Sequence, residues 1–164
     1  MKRLLLTLSL TAILLASCGA QAEDTPNEVT NREVVEQIAI AFNENNFDLL
    51  DDLIAEDFVG HSPLSPDPIV GLDGLKGLFG FFKASMPDAH HPSYTLIADG
   101  DLVAAWMPYE GTFENEMLGL PPTGEKVSVM MANIWEVHDG KATGWWINMD
   151  TLSYMTQVGA IPSN

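Results

Sequence analysis

Basic residues are scarce in this sequence. Its 164 residues include 7 lysines and arginines against 23 aspartates and glutamates, which gives a formal net charge of −16. Proteins that bind nucleic acids gain most of their affinity from clustered lysine and arginine side chains, which neutralise phosphates. The few basic residues are scattered along the chain. We therefore predict that this protein does not bind nucleic acid.

The sequence also lacks a hydrophobic run long enough to cross a membrane. The apolar segment Leu4–Ala16 has 13 residues, whereas a helix needs about 20 to span a bilayer. Lys2 and Arg3 precede it, and a basic start before a short apolar stretch is typical of a secretory signal peptide. We therefore expect the protein to be exported.

Cys18 is the only cysteine, which excludes a disulfide within the chain. The residues Leu15-Ala16-Ser17-Cys18 resemble the bacterial lipobox, in which the cysteine is lipidated and becomes the mature N-terminus. We therefore predict a lipoprotein signal peptide over residues 1–17 and a lipid anchor on Cys18. The alternative is a plain signal peptide with an incidental cysteine. In a Gram-negative cell, Gly19 favours the periplasmic side of the outer membrane over the inner membrane.

Residues 18–27 are polar and aperiodic, so we predict a tether there and one domain over residues 28–164. Thr30-x-x-Glu33 matches a capping box at the start of a first helix, and Asn46 is a candidate cap for a short second helix that includes Ile54. A third helix carries apolar residues at helical spacing: Leu72, Leu75, Phe79 and Phe82. Its glycines, at positions 71, 74, 77 and 80, suggest close approach to a sheet.

From His91 onward the apolar residues recur at every second position, which indicates β-strands. Asp99-Gly100 and Asp139-Gly140 each separate two such stretches and are signals for hairpin turns. Helices followed by antiparallel strands define an α+β fold.

Three side chains share one face of the last predicted strand because side chains alternate along a strand: Trp146, Asn148 and Asp150. A two-residue turn at Asp139-Gly140 would pair Trp146 with Asn133, Asn148 with Met131 and Asp150 with Val129. These neighbours are largely apolar, so we expect desolvation to raise the pKa of Asp150, as a proton donor requires. The alternative role for Asp150 is to cap the segment that follows.

A series of short motifs runs in order along the chain. It comprises Phe58-x-x-His61, Gly71 with Gly74, Met86-Pro87-Asp88, Gly111-Thr112, Gly119–Gly124, Asp139-Gly140-Lys141, and Trp146 with Asp150, Gln157 and Gly159. Because these motifs occur in this order, the sequence from Thr30 to Pro162 resembles the SnoaL-like polyketide cyclase family, whose members are also called ester cyclases. This family belongs to the nuclear-transport-factor-two-like superfamily.

The resemblance implies a cone-shaped α+β fold, with N-terminal helices packed on a curved, mainly antiparallel sheet. It implies a cyclase or isomerase that closes a ring by aldol-type chemistry on a small apolar carbonyl compound, without metal or cofactor. Asp150 matches the family's catalytic aspartate, and His61 matches a residue near the cavity mouth. With the hairpin partners, this gives the predicted substrate-binding residues: His61, Met131, Asn133, Trp146 and Asn148. A homodimer through the open face of the sheet is also expected.

Two features favour a second hypothesis. Characterised cyclases place further polar residues, including a histidine, on the strand before the catalytic one, whereas here the relevant face offers only Asn133. The predicted export also separates the protein from cytoplasmic polyketide assembly. The alternative is therefore a non-catalytic envelope lipoprotein that binds a small apolar ligand or a protein partner in the same cone. We predict no metal site, because the adjacent His90 and His91 would point to opposite faces of a strand.

Overall fold

The computed structural model describes residues 24–162. The predicted signal peptide, Cys18 and most of the predicted tether lie outside this range. The elements in chain order are α1 (Pro26–Asn43), a short 3₁₀ helix (Phe47–Asp51), β1 (Ile54–His61), β2 (Ile69–Val70), α2 (Gly71–Ser85), β3 (Thr95–Asp99), β4 (Leu102–Thr112), β5 (Lys126–His138), β6 (Lys141–Met149) and α3 (Thr151–Gln157). None of the helices in the described range combines the length and the apolar character needed to cross a membrane.

The six strands form one curved sheet in the order β2-β1-β6-β5-β4-β3. The β1–β6 pair is parallel, and the other neighbouring pairs are antiparallel. Helices α1 and α2 pack on the inner face of this sheet, so that the apolar core lies between the two layers. The predicted α+β fold with a mainly antiparallel sheet is confirmed.

Helix α1 begins earlier than the sequence pattern predicts. Thr25 is its N-cap: the backbone N–H of Glu28 donates to the Thr25 hydroxyl at 3.3 Å, and the Thr25 N–H donates to the Glu28 carboxylate at 2.6 Å. Pro26 follows as the first helical residue, where its missing N–H costs nothing. The capping box predicted at Thr30 is therefore wrong, because Thr30 is already helical and its hydroxyl donates to the Pro26 carbonyl.

Two further expectations for the N-terminal half are wrong. Ile54 does not belong to the second helix, since it opens strand β1, which the sequence patterns did not predict. The glycines of α2 do not all mark close approach to the sheet: a Cβ at Gly74 would lie 3.2 Å from the Ile69 side chain, but one at Gly77 or Gly80 would meet nothing within 4 Å.

Both predicted hairpins are present. Strands β3 and β4 pair from Asp99 with Leu102, and β5 and β6 pair from His138 with Lys141. At the second turn Asp139 and Gly140 have φ values of 50° and 77°. Positive values at both central positions define the turn that matches the twist of the two strands.

Candidate functional site

A cavity of about 50 Å³ lies between α1, α2 and the inner face of the sheet. Its walls are mainly apolar, with aliphatic and aromatic side chains from both helices and methionines and tryptophans from β4, β5 and β6. No charged side chain is among the lining residues of the described structure. His91, Tyr109 and Asn133 contribute the polar side chains, together with the indoles of Trp135 and Trp145. Such a cavity suits a small, uncharged and largely apolar ligand.

His91 is fixed in the cavity wall by bonds to its backbone and to its ring. The Asn43 amide holds the backbone: the His91 N–H donates to Asn43 Oδ1 at 2.7 Å, and Asn43 Nδ2 donates to the His91 carbonyl at 3.0 Å. The ring Nδ1 lies 2.8 Å from the Pro108 carbonyl. Because a carbonyl only accepts, Nδ1 carries the proton and Nε2 keeps a lone pair. Burial lowers the pKa of His91 to about 4.

The Pro108 carbonyl is available to His91 because of a gap in the sheet. Along the edge of β4 that faces β3, the pairing with β3 ends at Thr95 and Trp106. The next contact on this edge is a single bridge between His90 and Glu110. Pro108 lies between these two points and has no N–H to pair, so proline is tolerated at this strand edge. Its carbonyl would otherwise lack a backbone partner, and the imidazole of His91 satisfies it.

Three residues that line the cavity each carry a buried polar side-chain atom that has no hydrogen-bond partner among the described residues. They are Asn133 Oδ1 and the Nε1 atoms of Trp135 and Trp145. Asn133 is only 3% exposed, and the two indole rings are stacked with their centroids 4.9 Å apart. Buried polar groups are nearly always satisfied in folded proteins, so each exception requires an explanation. A ligand with its own donor and acceptor groups would provide it.

Two other buried polar groups near the cavity already have partners. The hydroxyl of Tyr109 lies 3.6 Å from Met86 Sδ, and burial raises the pKa of this tyrosine. Lys83 Nζ donates to the carbonyls of Ala89, at 2.5 Å, and Asn43, at 3.4 Å. Burial lowers the pKa of Lys83, and the side chain ties the end of α1 to the segment that carries His91.

A β-bulge overturns the predicted alignment of the last hairpin. Val137 pairs with Ala142 as predicted, but Glu136 pairs with Gly144, so that Thr143 is an extra residue in β6. An inserted residue moves every later side chain to the opposite face. Asn133 therefore pairs with Ile147 in place of Trp146, and Met131 with Met149 in place of Asn148. On β6 the inner face carries Trp145, Ile147 and Met149.

The predicted substrate-binding residues are consequently divided between the two faces of the sheet. Met131 and Asn133 line the inner cavity. Trp146 and Asn148 lie on the outer face, where they border a groove of about 390 Å³ together with Trp106. Asn133 is among the residues that line this groove as well. The prediction that Trp146 and Asn148 share a face with Asn133 and Met131 is wrong, and the bulge is the reason. The ligand-binding roles themselves stay predictions.

His61 lies on the outer face as well. It pairs with Trp146 across the parallel β1–β6 ladder, and its ring stacks on that indole at a centroid distance of 6.0 Å. His61 is exposed, and it does not line the inner cavity. Its expected position near the mouth of that cavity is therefore wrong, because the residues that point inward at the end of β1 are Phe58 and Gly60.

Asp150 occupies the N-cap position of α3. Its carboxylate accepts from the backbone N–H of Ser153 at 3.0 Å and from the Ser153 hydroxyl at 2.6 Å. These hydrogen bonds lower the pKa of Asp150, and the side chain is exposed. The expected raised pKa is wrong, because Asp150 lies beyond the end of β6 and outside the apolar wall. The capping alternative describes its contacts, and its catalytic role stays a prediction.

The pattern of alternating residues does not identify His91 as part of the site, but the sequence does contain a signal for the bulge. A glycine inside a strand, here Gly144, is a recognised mark of a bulge. In the sequence, His90 and His91 suggest only a pair of metal ligands. Within residues 24–162 no three His, Cys, Asp or Glu side chains are grouped closely enough to hold a metal ion. Nothing in the sequence indicated the gap at Pro108 that orients the ring.

The helices, the curved sheet and the cavity between them define a nuclear-transport-factor-two-like protein. Residues 32–158 match the family model described as SnoaL-like polyketide cyclase, and the chain belongs to this family. No curated protein matches the sequence.

Several solved structures share the fold. IdmH of Streptomyces antibioticus, a proposed polyketide cyclase, is 29% identical with a TM-score of 0.69, and the match covers 79% of this chain and 98% of that one. A proposed SnoaL-like polyketide cyclase from Jannaschia sp. CCS1 is 21% identical, with a TM-score of 0.76 and coverage of 85% and 99%. TsrD of Streptomyces laurentii is 23% identical, with a TM-score of 0.73 and coverage of 84% and 100%.

Proposed function

We propose that the inner cavity binds a small, uncharged carbonyl compound and catalyses cofactor-independent acid/base chemistry on it, of the ring-closing aldol or isomerisation type. The observation that carries this proposal is the set of polar atoms in an otherwise apolar cavity wall. Within residues 24–162, Asn133 Oδ1 and the indole N–H groups of Trp135 and Trp145 lack partners, and the only ring nitrogen of His91 that makes a hydrogen bond is Nδ1. Membership in the SnoaL-like family supports the same class of reaction.

The proposed chemistry needs little more than binding and one proton transfer. A carbon next to one or two carbonyl groups is already acidic, so a positioned base within a dry site suffices. Converting a bimolecular step into a unimolecular one contributes about 7–11 kcal/mol in favourable cases, and holding two linked parts of one molecule in a reactive conformation contributes a share of that. The cavity is small without ligand, so a ring-sized compound would displace side chains. Met107, Met131 and Met149 line it, and methionine adapts readily to such changes.

Two substitutions at neighbouring positions test whether the inner cavity is the binding site. Met131→Trp would fill the cavity, while Met130→Trp adds the same indole on the outer face, where Met130 is 38% exposed. Binding of 4-fluorophenylacetone, a small aryl ketone, is followed by ¹⁹F line broadening. We expect the first variant to lose binding and the second to keep it. If Met131→Trp binds as well as the wild type, or the wild type does not bind, the proposal is wrong.

The second candidate function is a binding protein without catalysis. It is favoured by the absence of any carboxylate among the cavity-lining residues that the structure describes, and by the position of Asp150 outside the wall. This hypothesis predicts that 4-fluorophenylacetone binds and that its α-protons exchange with solvent no faster than without protein. Measured exchange above the background rate would exclude it.

We also propose that the protein is exported and anchored through a lipid on Cys18, on the periplasmic side of the outer membrane in a Gram-negative cell. The support is the sequence Leu15-Ala16-Ser17-Cys18 after a basic and apolar segment. Intact mass measurement of the protein from its natural host should show an N-terminal Cys18 with acyl chains. A free N-terminus at another residue, or an unmodified cysteine, would contradict the anchor.

We propose a homodimer through the outer face of the sheet. The centre of this face is uncharged and carries exposed apolar side chains, among them Ile97, Trp106 and Ile134. Two copies of a chain with net charge −16 repel one another, so an uncharged patch is where they can approach. Analytical ultracentrifugation should give a dimer for the wild type and for Leu118→Glu, which alters an exposed loop residue. Trp106→Glu should give a monomer. A monomeric wild type would refute the dimer.

A further inference from the structure

We propose that His91 is the acid/base residue of the cavity, with Nε2 as the atom that accepts and returns the proton. This inference rests on the proposed function, and it assigns the proton transfer to a residue other than Asp150. The proposal is based on the position of the imidazole. His91 lines the cavity, and its Nδ1 is hydrogen-bonded to the Pro108 carbonyl. The described residues provide no hydrogen-bond partner for Nε2.

His91 is also the lining residue best suited to act as a base. The other titratable side chain in the wall is Tyr109, whose hydroxyl is bonded to Met86 Sδ and whose pKa is raised by burial. The pKa of His91, near 4, keeps the imidazole neutral at pH 7, so Nε2 is available to accept a proton. A base of such low pKa is weak, so the proposed reaction uses a carbon whose C–H bond neighbouring carbonyl groups have already made acidic.

The elements around His91 hold its ring in one orientation. Asn43 bonds both backbone groups of the residue, and the Phe42 ring lies beside the imidazole at a centroid distance of 5.1 Å. Lys83 Nζ lies over the same phenyl ring, 4.7 Å from its centroid, and donates to the Ala89 carbonyl. The positive charge of Lys83 and the neighbouring His90 both disfavour protonation of His91. This arrangement keeps Nε2 oriented and unprotonated before the substrate arrives.

The proton that Nε2 removes is returned to the same substrate molecule, so the reaction consumes no external acid or base. Nε2 takes a proton from the carbon next to the substrate carbonyl, and the electron pair of the broken C–H bond forms the C=C bond of an enolate. The negative charge moves to the carbonyl oxygen, and the imidazole becomes a cation. In an isomerisation the cation returns the proton to a different carbon. In a ring closure the enolate carbon bonds to a second carbonyl carbon, and the proton goes to the new alkoxide.

The test uses 4-fluorophenylacetone, whose fluorine reports binding and whose CH₂ group reports proton transfer. The wild-type protein in D₂O should replace these CH₂ protons by deuterium faster than buffer does, as followed by ¹H NMR. His91→Phe should still bind the ketone. Its exchange rate should be lower than that of the wild type by about 100-fold or more, which is the contribution expected of a positioned base. His91→Gln, which keeps a polar side chain, serves as a second variant if the phenylalanine substitution does not fold.

Asp150→Asn provides the decisive comparison, because asparagine keeps the N-cap and removes the ionisable group. We expect this variant to exchange protons at the wild-type rate. Loss of exchange in Asp150→Asn with retention in His91→Phe and His91→Gln would overturn the proposal and assign the reaction to Asp150. Binding without exchange in the wild type would also overturn it, while the ligand-binding function stands. Failure of the wild type to bind the ketone would contradict the proposed function itself.

A spectroscopic measurement on the folded wild type tests the same assignment without substitutions. In ¹⁵N-labelled protein the His91 ring should show the tautomer with hydrogen on Nδ1 at pH 7. Saturation with 4-fluorophenol, which carries a hydroxyl like an enol, should shift the Nε2 resonance, whereas 4-fluorotoluene should not. Hydrogen on Nε2, or no shift with a phenol that binds, would contradict the proposed role.

Discussion

Asn133 carries a buried polar atom that lowers the stability of the folded protein, and such a cost can indicate a ligand-binding site. The residue is buried and lines the cavity, and Oδ1 has no hydrogen-bond partner in the part of the chain that the structure describes. A buried acceptor without a partner costs roughly 1–3 kcal/mol. The protein tolerates this cost at a position where an aliphatic residue of similar size would fit between Met131 and Trp135. Such a cost is expected where a ligand supplies the missing donor.

Asn133→Leu should therefore stabilise the protein. We expect its free energy of unfolding to rise by about 1 kcal/mol, because the unpaired amide is replaced by an apolar group of similar volume. Binding of 4-fluorophenol should weaken relative to 4-fluorotoluene, since the acceptor is lost. Urea unfolding and ¹⁹F titration measure the two effects.

Asn31 provides the matched control for this substitution. It is also buried, at 1% exposed, but its Nδ2 donates to the Gly100 carbonyl at 3.0 Å. Asn31→Leu should lower the free energy of unfolding by about 1–3 kcal/mol, because it leaves that carbonyl unsatisfied. Equal destabilisation by both substitutions would mean that Asn133 has a structural role and that its unpaired oxygen does not indicate a ligand.

At the scale of the element, most of the fold could be predicted because it depends on local signals. The turn residues Asp99-Gly100 and Asp139-Gly140 fix both hairpins, and the periodicity of α2 follows from its apolar residues. Strand β1 is not predictable from local patterns because it pairs in parallel with a strand some 85 residues later in the chain.

The site could be predicted less well than the fold because its geometry depends on one inserted residue. The predicted strand register is correct between the turn and Thr143. Beyond Thr143, side chains such as that of Trp146 lie on the face opposite to the predicted one. Met131 and Asn133 lie on the strand without the bulge, whereas Trp146 and Asn148 follow the insertion on the other strand. His91 depends on a gap beside Pro108, which arises from tertiary pairing between distant segments.

Two glycines should respond oppositely to the same substitution. Gly77 lies within α2 and a Cβ there meets nothing within 4 Å, so Gly77→Ala should raise the free energy of unfolding by about 0.5–1 kcal/mol. Gly111 lies in β4, where a Cβ would be 3.1 Å from Ala89 Cα and 3.2 Å from Met86 Cβ. Gly111→Ala should lower the free energy of unfolding by about 1–3 kcal/mol, a typical cost of overpacking.

Thermal and urea unfolding of the two variants check this prediction. The comparison isolates close packing, because both changes add the same methyl group and neither glycine has a positive φ. Destabilisation by Gly77→Ala would mean that the backbone of α2 needs the flexibility of glycine at this position. An unchanged stability for Gly111→Ala would mean that the segment from Met86 to Ala89 yields easily.

For the whole molecule, the stability at mildly acidic pH should depend on His91. Its pKa is near 6.5 in the unfolded chain and about 4 in the folded one, because burial disfavours the charged form. Between these values the unfolded state binds more protons, so the free energy of unfolding falls as the pH decreases from 6.5 to 4. Glu28, Asp88 and Asp150 have lowered pKa values, so their contributions are lost only below the usual carboxylate range.

His91→Phe should remove most of this dependence. Its free energy of unfolding should stay nearly constant between pH 6.5 and 4.5, where the wild type loses stability. His138 is exposed and its pKa is raised by Glu136, so its contribution is fully present below pH 6.5 and is lost only as the pH rises above that value. His138→Gln should therefore keep the wild-type slope between pH 6.5 and 4.5. Urea unfolding at half-unit pH steps gives the slopes. If His91→Phe loses stability as steeply as the wild type, the imidazole is not held neutral by the cavity wall, and the basis for its role as a base is removed.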